Sequence, residues 1–237
     1  MTMPPDNIPA HPVGHANPPI RVLIADDHQV VLLGISKSLE KHGDIDVVAT
    51  VQMVSELMAA LEASTYNVLL CDYSFCGSDQ PDGLPMLQRI RKHYPDMKII
   101  LLTSHDDMTV VEHVMKLGVT GFLSKRSGDF SELPNIVRKA MQGERYIDPQ
   151  TSQAMSAHFR ASSTEKAGDG GNTGLSLHEL EIVRFFTGGM TLSEIAQMTQ
   201  HSLKTVIAGK QSAMQKLGAR SDIELLSSFK LLTQNQH

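Results

Sequence analysis

The sequence predicts a doubly wound parallel α/β sheet followed by a small all-α domain, and three observations carry that prediction. Five short apolar runs alternate with five amphipathic stretches of helix length between Ile20 and Gln142, which is the pattern of a parallel sheet covered by helices on both faces. The third run, Asn67 to Asp72, is apolar without interruption from Val68 to its terminal aspartate. A strand buried on both faces at the middle of a sheet has that composition. Beyond a stretch rich in Ser, Thr, Gly and Ala, from Ala161 to Gly174, only helical spacing remains, and such a stretch reads as a flexible linker.

Taken in order, Ile20 to Ala25 is the first strand, with Asp26-Asp27 directly after it. Val31, Ile35 and Leu39 recur at helical spacing between His28 and His42, and Gly43 stops that helix. Ile45 to Val51 is the second strand, and Met53 to Ala63 a helix with Leu57 and Leu61 inward. Asn67 to Asp72 is the third strand, and a polar loop leads to Asp82-Gly83 and a helix ending near His93. Lys98 to Leu102 is the fourth strand and runs into Thr103-Ser104. Val110, Val111, Val114 and Leu117 mark the next helix, Thr120 to Ser124 the fifth strand before Lys125-Arg126, and Phe130 to Gln142 a helix closed by Gly143. A short helical stretch is expected from Gln150 to Phe159. Four helical segments follow the linker: Ser176 to Thr187, Thr191 to Thr199, Ser202 to Leu217 and Asp222 to Leu232.

Five strand–helix units favour the flavodoxin-like strand order 2-1-3-4-5, in which the chain reverses between strands 1 and 3. Asp26, Asp27 and Asp72 then meet at the rim where open sheets hold their ligands, and Thr103 and Lys125 reach the same rim from strands 4 and 5. Three carboxylates brought together repel one another unless a cation joins them, and an all-oxygen site suits a hard ion such as Mg²⁺. A hydroxyl and an ammonium beside a metal-bound carboxylate form a cradle for a dianionic group. Phosphoryl transfer asks little more of a protein than such positioning and charge neutralisation. Asp72 is the candidate phosphoacceptor, Asp26 and Asp27 candidate metal ligands, Thr103 a donor to a phosphoryl oxygen and Lys125 the balancing charge.

Composition narrows the partners. Hydrophobic residues make up 41% and charged residues 20% of the 237, and no apolar run reaches the length of a membrane span. The proline-rich segment Met1 to Pro19 lacks an apolar stretch, so it is expected to be a disordered tail and not a secretory signal, which points to the cytoplasm. Cys71 and Cys76 have neither a zinc spacing nor the setting of a disulfide framework, and none of the histidines is assigned to a metal. The net charge of −5 is uneven: residues 1–171 carry −6 and residues 172–237 carry +1. Between Gln197 and Arg220 the charged residues are Lys204, Lys210, Lys216 and Arg220, all basic. An acidic first part and a locally basic second part indicate different partners.

In the second part Thr191 stands three residues before Glu194 as a capping box, and Gln200-His201 turns into Ser202-Leu-Lys-Thr-Val. Two short helices joined by a tight turn, the second locally basic, form a helix-turn-helix pattern. Val206, Ala213 and Leu217 share one face of the second helix, while Lys204, Ala208, Gln211 and Gln215 share the other.

The five rim positions resemble the receiver domain of two-component response regulators, over roughly Ile20 to Gly143. The segments Leu175-Ser-Leu-His-Glu, Gly189 to Ala196 and Thr205-Val206 to Lys216-Leu217 look like a LuxR-type DNA-binding domain. Together they give a chain similar to the NarL/FixJ class. Composition and resemblance together divide the chain into a disordered tail (1–19), a receiver (20–145), a linker with a short helix (146–174) and a helix-turn-helix domain (175–237). The resemblance implies phosphorylation of Asp72 by a histidine kinase or histidine phosphotransfer protein, with Mg²⁺ held by Asp26, Asp27, Asp72 and the backbone carbonyl of Ser74. Phe122 falls on an aromatic switch position. The helix from Ser202 to Leu217 would enter the major groove of double-stranded DNA, with Ile207, Ala208 and Gln211 towards bases and Lys204, Thr205 and Lys210 towards phosphates. Such regulators are not enzymes, and a homodimer, or a heterodimer with another regulator, is expected.

Three features depart from the family pattern. The loop after Asp72 is longer than usual, Arg126 follows Lys125, and Gly209 stands inside the reading helix at a cost of about 1 kcal/mol against alanine. Gly209 and the acidic balance admit an alternative, a partner subunit that heterodimerises independently of phosphorylation. An aspartyl-phosphatase chemistry is disfavoured because Ser74, and not a carboxylate, stands two residues after Asp72.

Overall fold

A computed structural model of the chain describes residues 18–77, 80–103, 108–125, 130–156 and 175–234. Most of the expected tail and the expected linker from Ala161 to Gly174 lie outside the described residues. The elements are β1 (Ile20–Ala25), α1 (Gln29–Leu39), β2 (Ile45–Val51), α2 (Val54–Ala63), β3 (Val68–Cys71), α3 (Gly83–His93), β4 (Lys98–Thr103), α4 (Met108–Lys116), β5 (Gly121–Ser124), α5 (Leu133–Met141) and β6 (Tyr146–Ile147). A helix α6 begins at 149 and is described to 156. It is followed by α7 (Leu177–Thr187), α8 (Leu192–Thr199), α9 (Leu203–Lys216) and α10 (Asp222–Gln234).

The sheet is parallel throughout, in the order β2-β1-β3-β4-β5-β6. Its first five strands take the expected order. The sixth is a correction: Tyr146–Ile147, placed in the linker by sequence, pairs with Gly121 and Phe122 of β5. Two residues are too short to show any periodicity, so only the neighbouring strand reveals them as sheet.

Side chains alternate across the strands and build two apolar layers. Leu23, Leu69, Cys71, Ile99 and Leu101 face α2, α3 and α4, while Val22, Ile24, Val68, Leu70, Ile100 and Leu102 face α1 and α5. All four β3 residues are 0% exposed, as a central strand requires, and each such burial contributes about 1.5–3 kcal/mol for a large aliphatic side chain. Among the described residues no helix is long and apolar enough to cross a membrane.

In the second part, α7 is buried nearly all round, from Glu179 to Val183 and again at Phe185. A helix of that kind has neighbours on two sides. Leu180 and Val183 join the layer that covers the sheet, and Ile182 and Phe185 pack with Ile195 of α8 and Val206 of α9. The turn between α8 and α9 is made by Gln200 in the left-handed region (φ 56).

Gly209 marks where α9 crosses α7. A Cβ there would overlap Ile182 Cδ1 and touch the His178 ring. Its absence therefore permits close packing of the two helices. Gly209→Ala is expected to lose the ~1 kcal/mol that helix propensity alone would add. Combining it with Ile182→Val should recover that gain, a coupling that chemical denaturation of the two single variants and the double variant would measure.

Candidate functional site

The carboxyl ends of β1, β3 and β5 converge because the strand order reverses between β1 and β3. Asp26 directly follows β1, its N–H bonded to Val51 O, and Asp72 directly follows β3, its N–H bonded to Ala25 O. Both carboxylates are buried, at 1% and 5% exposure. Lys125, the residue after β5, lies between them: its Nζ is 2.5 Å from Asp26 Oδ2 and 2.6 Å from Asp72 Oδ2. The second of these contacts is an aligned hydrogen bond. Asp72 Oδ1 accepts the Tyr73 N–H at 2.7 Å.

Asp27 sits nearer solvent. Its Oδ2 accepts the Cys76 N–H at 3.0 Å, which folds the segment after β3 back over the rim. His28 donates its N–H to Asp26 Oδ1 at 3.0 Å and places Nδ1 2.7 Å from Asp27 Oδ1. One atom each from Asp26, Asp27, His28 and Asp72 can be found within 4.8 Å of one another. His28 is thus a member of the cluster that sequence reasoning left out; its place directly after Asp26-Asp27 was the available signal.

The electrostatics follow from burial. Loss of water pushes the Asp72 carboxyl up to about 6, Lys125 opposes that rise, and Asp26 adds to it. Burial acts to lower the Lys125 ammonium, but Asp72 and Asp26 outweigh it and the net shift is upward, so Lys125 remains charged. Asp26 Oδ2 and Asp27 Oδ1 are buried, with the Lys125 ammonium and His28 Nδ1 as their close contacts. Asp26, Asp27 and Asp72 bring carboxylate oxygens within 4.8 Å of one another, an oxygen donor set that fits a hard cation, so the residues present suit Mg²⁺. Asp26, Asp27 and Asp72 form the acidic cluster that would hold it.

The remaining rim residues are distributed as follows. Thr103 ends β4 in register with Ser124, but its side chain lies outside the described residues. Phe122 is 0% exposed in β5 and packs in the layer with Leu101 and Val111. The Ser74 hydroxyl accepts from Arg184 Nη1 at 2.6 Å. Cys71 and Cys76 are both free.

On α9, Lys204, Thr205, Ile207, Ala208 and Gln211 are exposed while Val206 and Ala213 are buried. The Ser202 side chain caps the helix by accepting the Thr205 N–H. Lys210 is drawn inward: its ammonium is 2.6 Å from Asp222 Oδ1 and 3.8 Å from the centre of the Phe186 ring. It stands on the flank of the helix facing α10, not on its outer face.

Sequence reasoning also missed the contacts between the two parts of the chain. Arg184 pairs with Asp82, and Glu181 accepts from Tyr73. The partners are more than one hundred residues apart, and each has a plausible local role in its own helix or turn.

Comparison with known proteins gives a consistent picture. Residues 22–138 match the response regulator receiver domain family. The chain is 32% identical to the transcriptional regulatory protein RcsB of Escherichia coli (strain K12) over 214 residues, which is 90% of this chain and 95% of that protein. It is 33% identical to the oxygen regulatory protein NreC of Staphylococcus carnosus (strain TM300), covering 87% of this chain and 95% of the relative. The fold superposes on RcsB from Salmonella enterica serovar Typhimurium bound to promoter P1flhDC in the presence of the phosphomimetic BeF3⁻, with a TM-score of 0.70, 32% identity and coverage of 89% of this chain and 98% of the other. The rim, the helix-turn-helix and these full-length likenesses agree: the chain belongs to the NarL/FixJ family of two-component response regulators.

Proposed function

We propose that this chain controls transcription through phosphorylation of Asp72. The observation that carries the proposal is the Lys125 ammonium bridging two buried carboxylates, Asp26 and Asp72, whose oxygens cluster with those of Asp27. An Asp72 oxygen attacks phosphorus on a phosphohistidine donor, the O–P bond forms as the N–P bond breaks, and the imidazole leaves. Lys125 balances the charge that accumulates on the phosphoryl oxygens, and Thr103 donates to one of them. Asp26, Asp27, Asp72 and the Ser74 carbonyl would hold Mg²⁺, which supplies charge neutralisation when bound. The phosphoryl donor is a histidine kinase or histidine phosphotransfer protein, and Phe122 is the aromatic group whose position responds.

The exposed face of α9 supports contact with double-stranded DNA in the major groove. Gln211 can pair with adenine, Ile207 and Ala208 can meet thymine methyls, and Lys204 and Thr205 reach phosphates. Lys210 joins them once it leaves Asp222. Pairing through α10, where Ile223 is 76% exposed, would place two reading helices on an approximately palindromic site, in a homodimer or beside another regulator. The receiver spans 20–145 and the DNA-binding unit 175–237 in this reading, and the protein works in the cytoplasm as a regulator and not as an enzyme. The phosphorylation-independent partner subunit loses one of its supports, because Gly209 is accounted for by packing against Ile182.

Incubation with Mg²⁺ and acetyl phosphate tests the acceptor. Intact mass should rise by one phosphoryl group in the wild type and stay unchanged in Asp72→Ala. Equal labelling of the variant would overturn the assignment.

A further inference from the structure

Away from the acidic cluster, a buried set of charges joins the two parts of the chain among the described residues. Arg184, in the last turn of α7, reaches Ser74, two residues after Asp72. Its Nη1 donates to Ser74 Oγ at 2.6 Å and to Asp82 Oδ2 at 2.9 Å, and its Nη2 donates to Asp82 Oδ1 at 2.8 Å. The guanidinium lies 5.4 Å from the centre of the Tyr73 ring and 4.4 Å from that of Phe185.

Asp82 does not use its side chain to cap α3. Oδ2 accepts the Phe75 N–H at 2.7 Å, and the Gly83 N–H bonds Tyr73 O at 2.9 Å, so Tyr73 to Phe75 and Asp82-Gly83 meet around the guanidinium. Nearby on α7, Glu181 Oε1 accepts from the Tyr73 hydroxyl at 3.2 Å and from the Leu84 N–H at 3.1 Å. Gly83 has φ +64, and a Cβ there would lie 2.8 Å from Arg184 Nη2 and 3.2 Å from the Tyr73 ring. The seat for the arginine therefore depends on glycine at this position.

We infer that Arg184 is a positioning residue of the phosphorylation site, supplied to it by the helical part of the chain. It ties Ser74 to Asp82, and thereby sets the Ser74 carbonyl relative to the cation. This rests on the function proposed above.

Bidentate guanidinium–carboxylate pairing specifies geometry as well as energy. Here the pair leaves Ser74 little freedom, because its hydroxyl is bound to the same guanidinium that grips Asp82. Coupling between two sites is reciprocal, so a cation at the rim strengthens the docking of α7 by the factor with which docking strengthens the cation. The outer face of α9 remains exposed in this arrangement. Docking therefore adjusts the acceptor site without covering the reading helix.

The test uses the full chain and Mg²⁺ alone, followed by calorimetry and by hydrogen exchange at the Leu84 amide. Arg184→Ala is expected to weaken Mg²⁺ binding about tenfold, the effect of losing roughly one charge-assisted hydrogen bond. Arg184→Lys keeps the buried positive charge but only one arm, and should fall between the two. Mg²⁺ should slow exchange at Leu84 in the wild type and not in Arg184→Ala. If Arg184→Ala does not fold, as circular dichroism would show, Arg184→Lys carries the test with a severalfold weakening. A folded variant that binds Mg²⁺ as the wild type does, while Leu84 has lost protection, overturns the inference and leaves the proposed function standing. A wild type that binds no Mg²⁺ overturns both.

Discussion

Lys125→Ala is expected to slow phosphoryl uptake at Asp72 by about 10²–10³-fold, the range for removing one preorganised group that stabilises developing charge. The ammonium touches both Asp26 and Asp72, so its loss also leaves two buried carboxylates facing each other. Removing one partner of a buried ion pair costs about 3–5 kcal/mol when the charge left behind has no other relief. Relief exists here, because protonation of Asp72 removes the repulsion. Its carboxyl already stands near 6 through burial, with Lys125 opposing the rise, and without Lys125 it moves higher.

The sign follows from that upward shift. A carboxyl raised above its unfolded value contributes stability below the unfolded value and loses it as pH rises through the folded one. The variant should therefore be most destabilised at pH 8 and least at pH 5, as urea denaturation at the two pH values would show. Uptake within threefold of the wild type would mean that Lys125 is structural only.

Glu179→Ala carries the second large effect, of about 3 kcal/mol on the helical part, again read by urea denaturation at neutral pH. Glu179 is 7% exposed and ties α7 to α9: Oε1 accepts from Ser212 at 2.6 Å and Oε2 from Lys216 Nζ at 2.7 Å. It also completes the capping box at Ser176, at 2.6 Å. Burial pushes its carboxyl up, but Lys216, Ser212 and Ser176 outweigh burial and hold it down at about 2. A depressed carboxyl contributes stability above its unfolded value and loses it as pH falls through the folded one. The wild type should therefore lose this contribution between pH 5 and pH 2, and Glu179→Ala should lack that dependence. A variant as stable as the wild type would show that the α7–α9 contact is held by Ile182, Val206 and Gly209 packing alone.

The parts of the site that were legible in sequence are those fixed by a strand end. Asp26, Asp72 and Lys125 each directly follow a strand, so an alternating pattern and a strand order were enough to bring them together. The outer face of α9 was legible for a similar reason, since helical spacing separates Lys204, Ala208 and Gln211 from Val206 and Ala213.

Lys210 shows the limit of that reasoning. The family resemblance puts it towards phosphates, but Asp222 and Phe186, supplied by other helices, draw it to the flank. β6 has too few residues to carry a pattern. Arg184 and Glu181 were invisible because an arginine and a glutamate in a surface helix are ordinary, and only docking against Tyr73, Ser74 and Asp82 buries them. Gly209 looked like a defect in α9 until Ile182 was seen occupying the space above it.

The central claim is that phosphorylation of Asp72 governs what α9 does on DNA. The most direct test is genome-wide mapping of DNA occupancy for the wild type beside Asp72→Ala, with phosphorylation of the wild type verified by intact mass. The account predicts defined sites for the wild type that lose occupancy in Asp72→Ala. Occupancy of the same sites to the same extent by both proteins would contradict it.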